Sequence, residues 1–199
     1  ELARLDTEVK IAEDGEILVK GELVMQGYWM NENATSECIK DGWLHTGDIG
    51  VFDDQGRLMI TDRKKDIIVN SGGDNISPQR IEGILTLEQE IAQAMVYGDK
   101  HPNLVAAIVP DPEWLEQWAT DNCKENDLGV LSDDKDLHKA LAKVIEGVNA
   151  GMSNIEKVLR FIIASEPFTI DNALMTPSMK IRRHKIIEIY GERLIGLYG

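Results

Sequence analysis

Cysteine is scarce in this sequence, and the two that occur, Cys38 and Cys123, lie far apart. Neither has a second cysteine or a histidine at the spacing of zinc ligands, so we predict no metal-binding residue in this chain. Two distant cysteines also cannot form the disulfide framework of a small secreted protein, which favours a cytoplasmic location.

Long apolar runs and positive charge are also lacking. No stretch approaches the roughly 20 apolar residues of a membrane-spanning helix, so no transmembrane segment is predicted. The 21 basic residues are outnumbered by 35 acidic ones, and the formal net charge is -14. Such a chain repels phosphate backbones and anionic lipids, which argues against general binding to nucleic acid or membrane surfaces. An anionic ligand therefore needs a local basic cluster.

The composition is otherwise that of a globular protein. An apolar share of 43% beside 28% charged residues is sufficient to bury a core, so the chain is expected to fold. The sequence opens at Glu1 without an initiating methionine and continues directly into strand-like sequence. We interpret it as a piece of a longer protein.

The first third of the chain has the pattern of β-hairpins. Residues 7–24 and 49–61 each contain short apolar runs joined by turn-forming sequences, Asp14-Gly15 and residues 53–56. A short helix is predicted between the two hairpins, starting near Asn31. These patterns predict a β-rich block.

Strands alternate with helices after Asp66. Ser77-Pro78 has the residues of a helix start, with Ser as the N-cap and Pro in the first turn. Further strands are predicted at residues 67–69, 91–97, 104–109 and 161–164, and further helices start near Pro112, Leu137 and Lys185. The fold class is therefore α+β, with a β-rich block over residues 1–65 followed by a small domain over residues 66–199. We expect that domain to contain an antiparallel sheet flanked by helices on both faces.

Two charged residues near the end of the β-rich block are candidates for binding a nucleotide. Asp48 lies on a glycine-flanked loop between strands, where a carboxylate can accept two ribose hydroxyls. Arg63, in the charged stretch 62–66, has the side chain to bind phosphate or ribose. The alternatives are a turn in which Asp48 caps its own backbone and a solvated charged linker.

Two further motifs lie in the second block. Ser71-Gly72-Gly73, here called the glycine loop, lies between a predicted strand and a helix. It would admit a narrow ligand chain, although a tight turn explains the glycines nearly as well. Lys180 follows Thr176-Pro177 and is the first of a basic cluster whose other members, Arg182, Arg183 and Lys185, are expected to screen phosphate or face solvent.

The order of these segments resembles the adenylate-forming superfamily of acyl-CoA synthetases, luciferases and peptide-synthetase adenylation domains. The resemblance rests on Gly15-Glu16-Ile17, on residues 41–48 (Asp-Gly-Trp-Leu-His-Thr-Gly-Asp), on residues 56–66 and on residues 71–78, with a late lysine at Lys180. It covers essentially the whole chain, and several spaced motifs in the same order are more specific than any one of them.

The resemblance implies a role for each candidate. Asp48 is similar to the family's ribose-binding carboxylate and Arg63 to the arginine that contacts the nucleotide. Lys65 resembles the hinge residue, and Ser71, Gly72 and Gly73 resemble the loop that lines the pantetheine tunnel. Lys180 resembles the lysine that stabilises charge during adenylation. Residues 1–65 would then be the end of the large adenylation domain, and residues 66–199 the mobile C-terminal domain.

The function that the resemblance implies is AMP-forming ligation of a carboxylic acid, expected to be a fatty acid, to CoA. The expected cofactors are ATP or AMP, CoA and Mg²⁺, the metal being bound mainly by the upstream part that carries the phosphate loop. That part is absent here, so the chain is expected to need the rest of its own N-terminal domain as a partner and to be inactive alone.

Two alternatives stay open: an acyl-AMP ligase or carrier-protein-loading enzyme, and a non-catalytic module that retains the fold. The acidic stretch (residues 111–136) is longer than expected between strands and is interpreted as a solvated excursion.

Overall fold

The computed structural model of the protein describes residues 7–199. The opening residues 1–6, on which the interpretation as a piece of a longer protein partly depends, lie outside the described part. The chain divides into two compact units, of which the first ends at Ile67 and the second spans Ile68–Gly199. Each unit has its own β-sheet, and both apolar core clusters lie in the second unit.

The first unit is a β-sheet with one short helix. Its elements are β1 (Glu8–Ile11), β2 (Glu16–Lys20), α1 (Glu32–Cys38), β3 (Ile39–Lys40), β4 (Trp43–Phe52), β5 (Leu58–Arg63) and a 3-10 turn (Lys64–Asp66). The strands follow the order β1-β2-β4-β3, β5 also pairs with β4, and every pairing is antiparallel. The two predicted hairpins are therefore β1–β2 and β4–β5.

Local sequence explains how these elements begin and end. The carboxylate of Asp53 accepts the amides of Gln55 and Arg57, which closes the turn between β4 and β5. The side chain of Asn31 accepts the amide of Ala34 and caps α1. At Gly50 in β4, an added Cβ would lie 2.6 Å from the Met59 carbonyl, so only glycine permits this close strand pairing.

The second unit contains both helices and strands. Its elements are β6 (Ile68–Val69), β7 (Asn75–Ile76), α2 (Pro78–Leu85), β8 (Ile91–Tyr97), β9 (Leu104–Pro110), α3 (Pro112–Asp121), α4 (Leu128–Leu131), α5 (Lys135–Ala150), β10 (Val158–Ile163) and α6 (Arg183–Gly196). The predicted fold class, α+β with antiparallel pairing and flanking helices, is confirmed.

One pairing in the main sheet differs from a purely antiparallel arrangement. The strand order is β10-β9-β8; β8 and β9 are antiparallel, whereas β10 runs parallel to β9. A short turn joins β8 to β9, and such a turn can only reverse the chain direction. Between β9 and β10 lie α3, α4 and α5, and a connection of this length carries the chain back to the end at which β9 started.

β9 is the centre of the second unit's core and is buried along its whole length. Leu104, Ala106 and Ile108 belong to an apolar cluster that includes residues of α2 and α5. Val105 and Ala107, on the opposite face, belong to a second cluster that includes residues of α6. Helices therefore cover both faces of this sheet, as the sequence predicts.

The acidic stretch, interpreted from the sequence as a solvated excursion, is mostly exposed and contains the ordered helices α3 and α4. Asp111, Asp127 and Asp134 accept backbone amides at the starts of α3, α4 and α5. A carboxylate at a helix N-terminus also interacts favourably with the helix dipole. Lys124 pairs with Asp134 and Asp136 at 2.6 and 2.9 Å. These acids are concentrated here because three helices begin within a short length of chain.

Candidate functional site

Asp48 and Arg63 are brought together by the β4–β5 pairing. They are register partners, and Arg63 Nε lies 2.9 Å from Asp48 Oδ1. The Asp48 amide donates to the Thr46 hydroxyl, which itself donates to the Ile17 carbonyl in β2. Two residues that are distant in sequence thus form one partly exposed charged pair.

This pair has the donors and acceptors that a ribose and a phosphate require. The Asp48 side chain is 24% exposed and the Arg63 side chain 55% exposed, so both are accessible to a ligand. Arg63 occupies one oxygen of the carboxylate, and the remaining lone pairs are available to accept hydroxyls. The guanidinium has five N–H donors and keeps several for an anion. The residues therefore fit a nucleotide.

A second charged cluster in the first unit was not predicted as a site. The carboxylate of Glu16 is buried, and it accepts the amide of Gly47 at 2.9 Å and the ammonium of Lys64 at 3.0 Å. His45 Nδ1 lies 2.8 Å from the same carboxylate. Glu16 stands at the start of β2 beside the buried Ile17 and Leu18. An acid within an apolar strand was the one sequence signal that could have indicated this cluster.

Lys65 lies in the 3-10 turn that follows β5. Its side chain is exposed, and within residues 7–199 it forms no hydrogen bond or ion pair. The preceding residue, Lys64, binds Asp14 as well as Glu16. Neighbouring lysines in this turn thus differ: one is bound within the first unit and the other is not.

The glycine loop connects β6 to β7 and is held by Asn70. The side-chain oxygen of Asn70 accepts the amides of Gly72 and Asp74, both at 2.9 Å, and the Ser71 amide donates to the His101 carbonyl at 3.0 Å. Gly73 adopts φ +88, a conformation that glycine tolerates best. An added Cβ at Gly73 would meet no atom within 4 Å, so the loop is exposed and has open space beside it.

Lys180 ends a tight turn that begins at Thr176. The Thr176 amide donates to the Lys180 carbonyl at 2.8 Å, and the Lys180 amide donates to the Thr176 hydroxyl at 3.1 Å. Met179 adopts φ 60 within this turn. The Lys180 side chain is exposed, and no hydrogen bond or ion pair of its ammonium occurs in the described part of the chain. The turn thus presents one unpaired cation.

Two other members of the basic cluster, Arg183 and Lys185, differ from each other. Arg183 donates to both oxygens of Glu82 and to the Val96 carbonyl, and its side chain is 18% exposed. Lys185 pairs with Glu188 one turn later in α6 at 2.7 Å. The expectation that the side chain screens phosphate or faces solvent is therefore wrong for Arg183, which stabilises the fold instead; Lys185 is 43% exposed and faces solvent as expected.

Metal ligands and membrane-spanning helices are two further features to consider in residues 7–199. That part of the chain contains no group of three or more His, Cys, Asp or Glu side chains placed to hold a metal ion. Of its helices, none has both the length and the apolar character needed to cross a bilayer.

Comparison with known proteins identifies the family. The sequence profile described as "AMP-binding enzyme C-terminal domain" matches residues 65–199. The chain belongs to this family, and the predicted relationship to the adenylate-forming superfamily is confirmed.

Two curated relatives and one solved structure show the extent of the similarity. The chain is 40% identical to "Long-chain-fatty-acid--CoA ligase FadD15" of Mycobacterium tuberculosis over 96% of this chain and 32% of that protein. It is 39% identical to "Long-chain-fatty-acid--CoA ligase 1" of Homo sapiens over 94% of this chain and 27% of that protein. The adenylation domain of a carboxylic acid reductase from Segniliparus rugosus has the same fold, with a TM-score of 0.79 at 24% identity over 97% of this chain and 31% of that one. The chain thus spans about a third of the relatives that it matches.

Proposed function

We propose that this chain is the C-terminal part of an AMP-forming acid:CoA ligase that activates a fatty acid with ATP and transfers the acyl group to CoA. The observation that carries the proposal is the 40% identity to a long-chain-fatty-acid–CoA ligase over 96% of the chain. The complete activity requires a protein of the relatives' length, and the chain alone is expected to be inactive.

The proposal assigns the two parts of the chain to two domains. Residues 1–65 are the end of the large adenylation domain, and residues 66–199 are the mobile C-terminal domain. The rest of the large domain is then the chain's main protein partner and supplies the acyl pocket, the phosphate loop and most of the Mg²⁺ ligands. We place this enzyme in the cytoplasm.

In the first half-reaction, Asp48 accepts the ribose hydroxyls of ATP, and Arg63 both orients that carboxylate and contacts the nucleotide. The 2.9 Å ion pair supports these joint roles, because it fixes the carboxylate while leaving acceptors exposed.

Lys180 supplies the positive charge that adenylation needs. Attack of a carboxylate on the α-phosphate of ATP brings two anions together, and a positioned ammonium offsets the charge that develops in the transition state. The unpaired, exposed side chain of Lys180 on a tight turn supports this role, because the ammonium is not already neutralised by a carboxylate of the described residues.

In the second half-reaction, a thiol must reach the adenylate from a different direction, and a hinged domain achieves this by rotation. Lys65 is the proposed hinge residue. Ser71, Gly72 and Gly73 line the path of the pantetheine arm of CoA. The exposed glycine loop and the open space at Gly73 support this assignment.

The test uses the full-length enzyme with ATP, Mg²⁺ and a series of carboxylic acids. Acyl-AMP and thioester products are measured by mass spectrometry with either CoA or a phosphopantetheinylated carrier protein as acceptor. Fatty acyl-CoA is the expected product. Transfer to the carrier protein alone would instead establish a carrier-protein-loading enzyme, and accumulation of acyl-AMP with both acceptors would establish an acyl-AMP ligase. Absence of acyl-AMP with every acid would favour the non-catalytic module.

A further inference from the structure

Glu16 has no role in the function proposed so far, yet its carboxylate is buried and has three polar partners within the first unit. One oxygen accepts the Gly47 amide at 2.9 Å. The other accepts Lys64 Nζ at 3.0 Å and lies 2.8 Å from His45 Nδ1. The residue is only 3% exposed. A buried carboxylate with three partners holds each of them firmly, because losing any one weakens the compensation of a buried charge.

Lys64 is held from two sides. Its ammonium lies 2.6 Å from Asp14 in the β1–β2 turn and 3.0 Å from Glu16 at the start of β2. We refer to Asp14, Glu16 and Lys64 as the anchor. Burial alone would raise the pKa of Glu16, but hydrogen bonds from His45, Lys64 and the Gly47 amide outweigh it and lower that pKa. Hydrogen bonds to Asp14 and Glu16 raise the pKa of Lys64. All three members are therefore charged at neutral pH.

The anchor lies at the last point before the proposed hinge. Lys64 immediately precedes Lys65, whose exposed side chain makes no hydrogen bond or ion pair with any described residue. Lys64 is thus bound to the β1–β2 turn and to β2, whereas the side chain of the next residue has no polar partner among residues 7–199. The same Glu16 carboxylate holds the amide of Gly47, the neighbour of Asp48.

From this geometry we infer that Glu16 is a positioning residue, which through Lys64 fixes the near side of the hinge and through Gly47 fixes the approach to Asp48. Lys64 serves the hinge alone. The inference rests on the proposed function. Its physical basis is that a rotation places a reacting group accurately only if one side of the pivot is immobile.

The experiment measures two rates in the full-length enzyme: acid-dependent pyrophosphate exchange for adenylation, and thioester formation from supplied acyl-AMP and CoA. Lys64→Met removes the ammonium from a side chain that is 44% exposed, and the Glu16 carboxylate keeps His45 and the Gly47 amide as partners, so the variant is expected to fold. It should slow thioester formation by about 10-fold to 100-fold, the scale of an error in positioning, and leave exchange within about 3-fold. Lys64→Arg should restore most of the lost rate, because a cation again reaches both carboxylates.

Glu16→Met, which leaves no acceptor for the Gly47 amide, tests the second contact. It should slow thioester formation as Lys64→Met does and also raise the KM for ATP, since Gly47 and Asp48 lose their support. Arg57→Met is the matched control, because it removes an exposed ion pair with Asp53 in the same unit. Neither rate should change in that variant.

A purely structural anchor predicts a different result. Both rates would then fall together, in proportion to the folded fraction, and Lys64→Arg would restore both together; this outcome overturns the inference while the proposed function stands. An unchanged ratio of the two rates in a well-folded Lys64→Met enzyme would also overturn the inference while the proposed function stands. Failure of the wild-type enzyme to form acyl-AMP would overturn the proposed function and this inference with it.

Discussion

Arg183 and Glu82 form a two-point ion pair inside the second unit. The two terminal nitrogens of Arg183 donate to the two carboxylate oxygens of Glu82 at 2.8 and 3.0 Å. The same groups bind Val96 in β8, whose amide donates to Glu82 and whose carbonyl accepts from Arg183. The pair therefore joins α2, β8 and the first residue of α6, only three residues after Lys180.

Removing one partner of this ion pair should destabilise the protein strongly. Arg183→Met leaves the largely buried Glu82 carboxylate without its cation, which typically costs about 3–5 kcal/mol. The measurement is urea denaturation followed by tryptophan fluorescence. Lys180→Met is the control, and removing this exposed charge should change the free energy of unfolding by no more than about 0.5 kcal/mol. Equal losses in the two variants would contradict the distinction between these neighbouring basic residues.

Lys180→Ala in the full-length enzyme should impair adenylation selectively. Loss of one positioned charge at a developing anion costs on the order of 10² to 10³ in rate, so pyrophosphate exchange should fall by that factor. Thioester formation from supplied acyl-AMP should stay near the wild-type rate, because the lysine acts only in the first step. Arg182→Ala serves as the control and should retain exchange. If both steps fall together in a folded Lys180→Ala enzyme, the role assigned to Lys180 is wrong.

Asp48→Asn should weaken ATP binding. A hydrogen bond to a charged group contributes roughly 1.5–3 kcal/mol, so we expect the KM for ATP to rise by about 10-fold or more. Arg63→Gln should raise it less, and the double variant should show less than the summed effect, because the two side chains act as one pair. Asp53→Asn, in the adjacent hairpin turn, is the control that should leave the KM unchanged. Strict additivity would argue against a joint role.

Two substitutions at Gly73 distinguish the effect of added side-chain volume from the effect of backbone strain. Gly73→Leu places a bulky side chain at φ +88, which costs about 1–2 kcal/mol in conformational strain. Gly73→Asn adds bulk in a residue that tolerates this conformation better. If the pantetheine arm passes here, both variants should raise the KM for CoA while pyrophosphate exchange persists. An unchanged KM for CoA in Gly73→Asn would leave the tight turn as the full explanation of this glycine.

Tyr198 should contribute to the stability of the folded protein up to strongly alkaline pH. Burial raises the pKa of its phenol from 10.0 to about 12, and the hydroxyl donates to the Tyr97 and Asn103 carbonyls. Since the folded state favours the neutral form, this contribution to stability is fully present below pH 10.0 and is lost as the pH rises through about 12. Titration of phenolate absorbance should show one late transition that Tyr198→Phe removes. The exposed Tyr28, changed to Phe, should leave that transition in place.

Features set by neighbouring residues could be predicted from the sequence. Asp14-Gly15 predicts a turn and Ser77-Pro78 a helix start because the determining contacts lie within a few residues. The Glu82–Arg183 pair spans 101 positions and the Glu16–Lys64 contact 48, so no local pattern contains them. The parallel direction of β10 was missed for the same reason, since it depends on the path of three helices.

The same holds for the candidate site residues: their identities could be predicted from the sequence, but the contacts between them could not. Asp48 and Arg63 were each predicted by residue type and motif, but their pairing follows from the register of β4 and β5. Arg183 was grouped with Lys180 because both belong to one basic run, and only the packing of α2 against the start of α6 separates a structural cation from an unpaired one.

The burial of β9 determines the order in which backbone amides of the second unit become accessible to solvent. Its amides are bonded between β8 and β10 and lie beneath helices on both faces, so local fluctuations cannot expose them. In amide hydrogen exchange, residues 104–109 should therefore be the slowest to acquire deuterium and should report the free energy of global unfolding. The glycine loop and the turn at Lys180, which are exposed, should acquire deuterium first, so that the segments with proposed functions can move while the sheet stays intact.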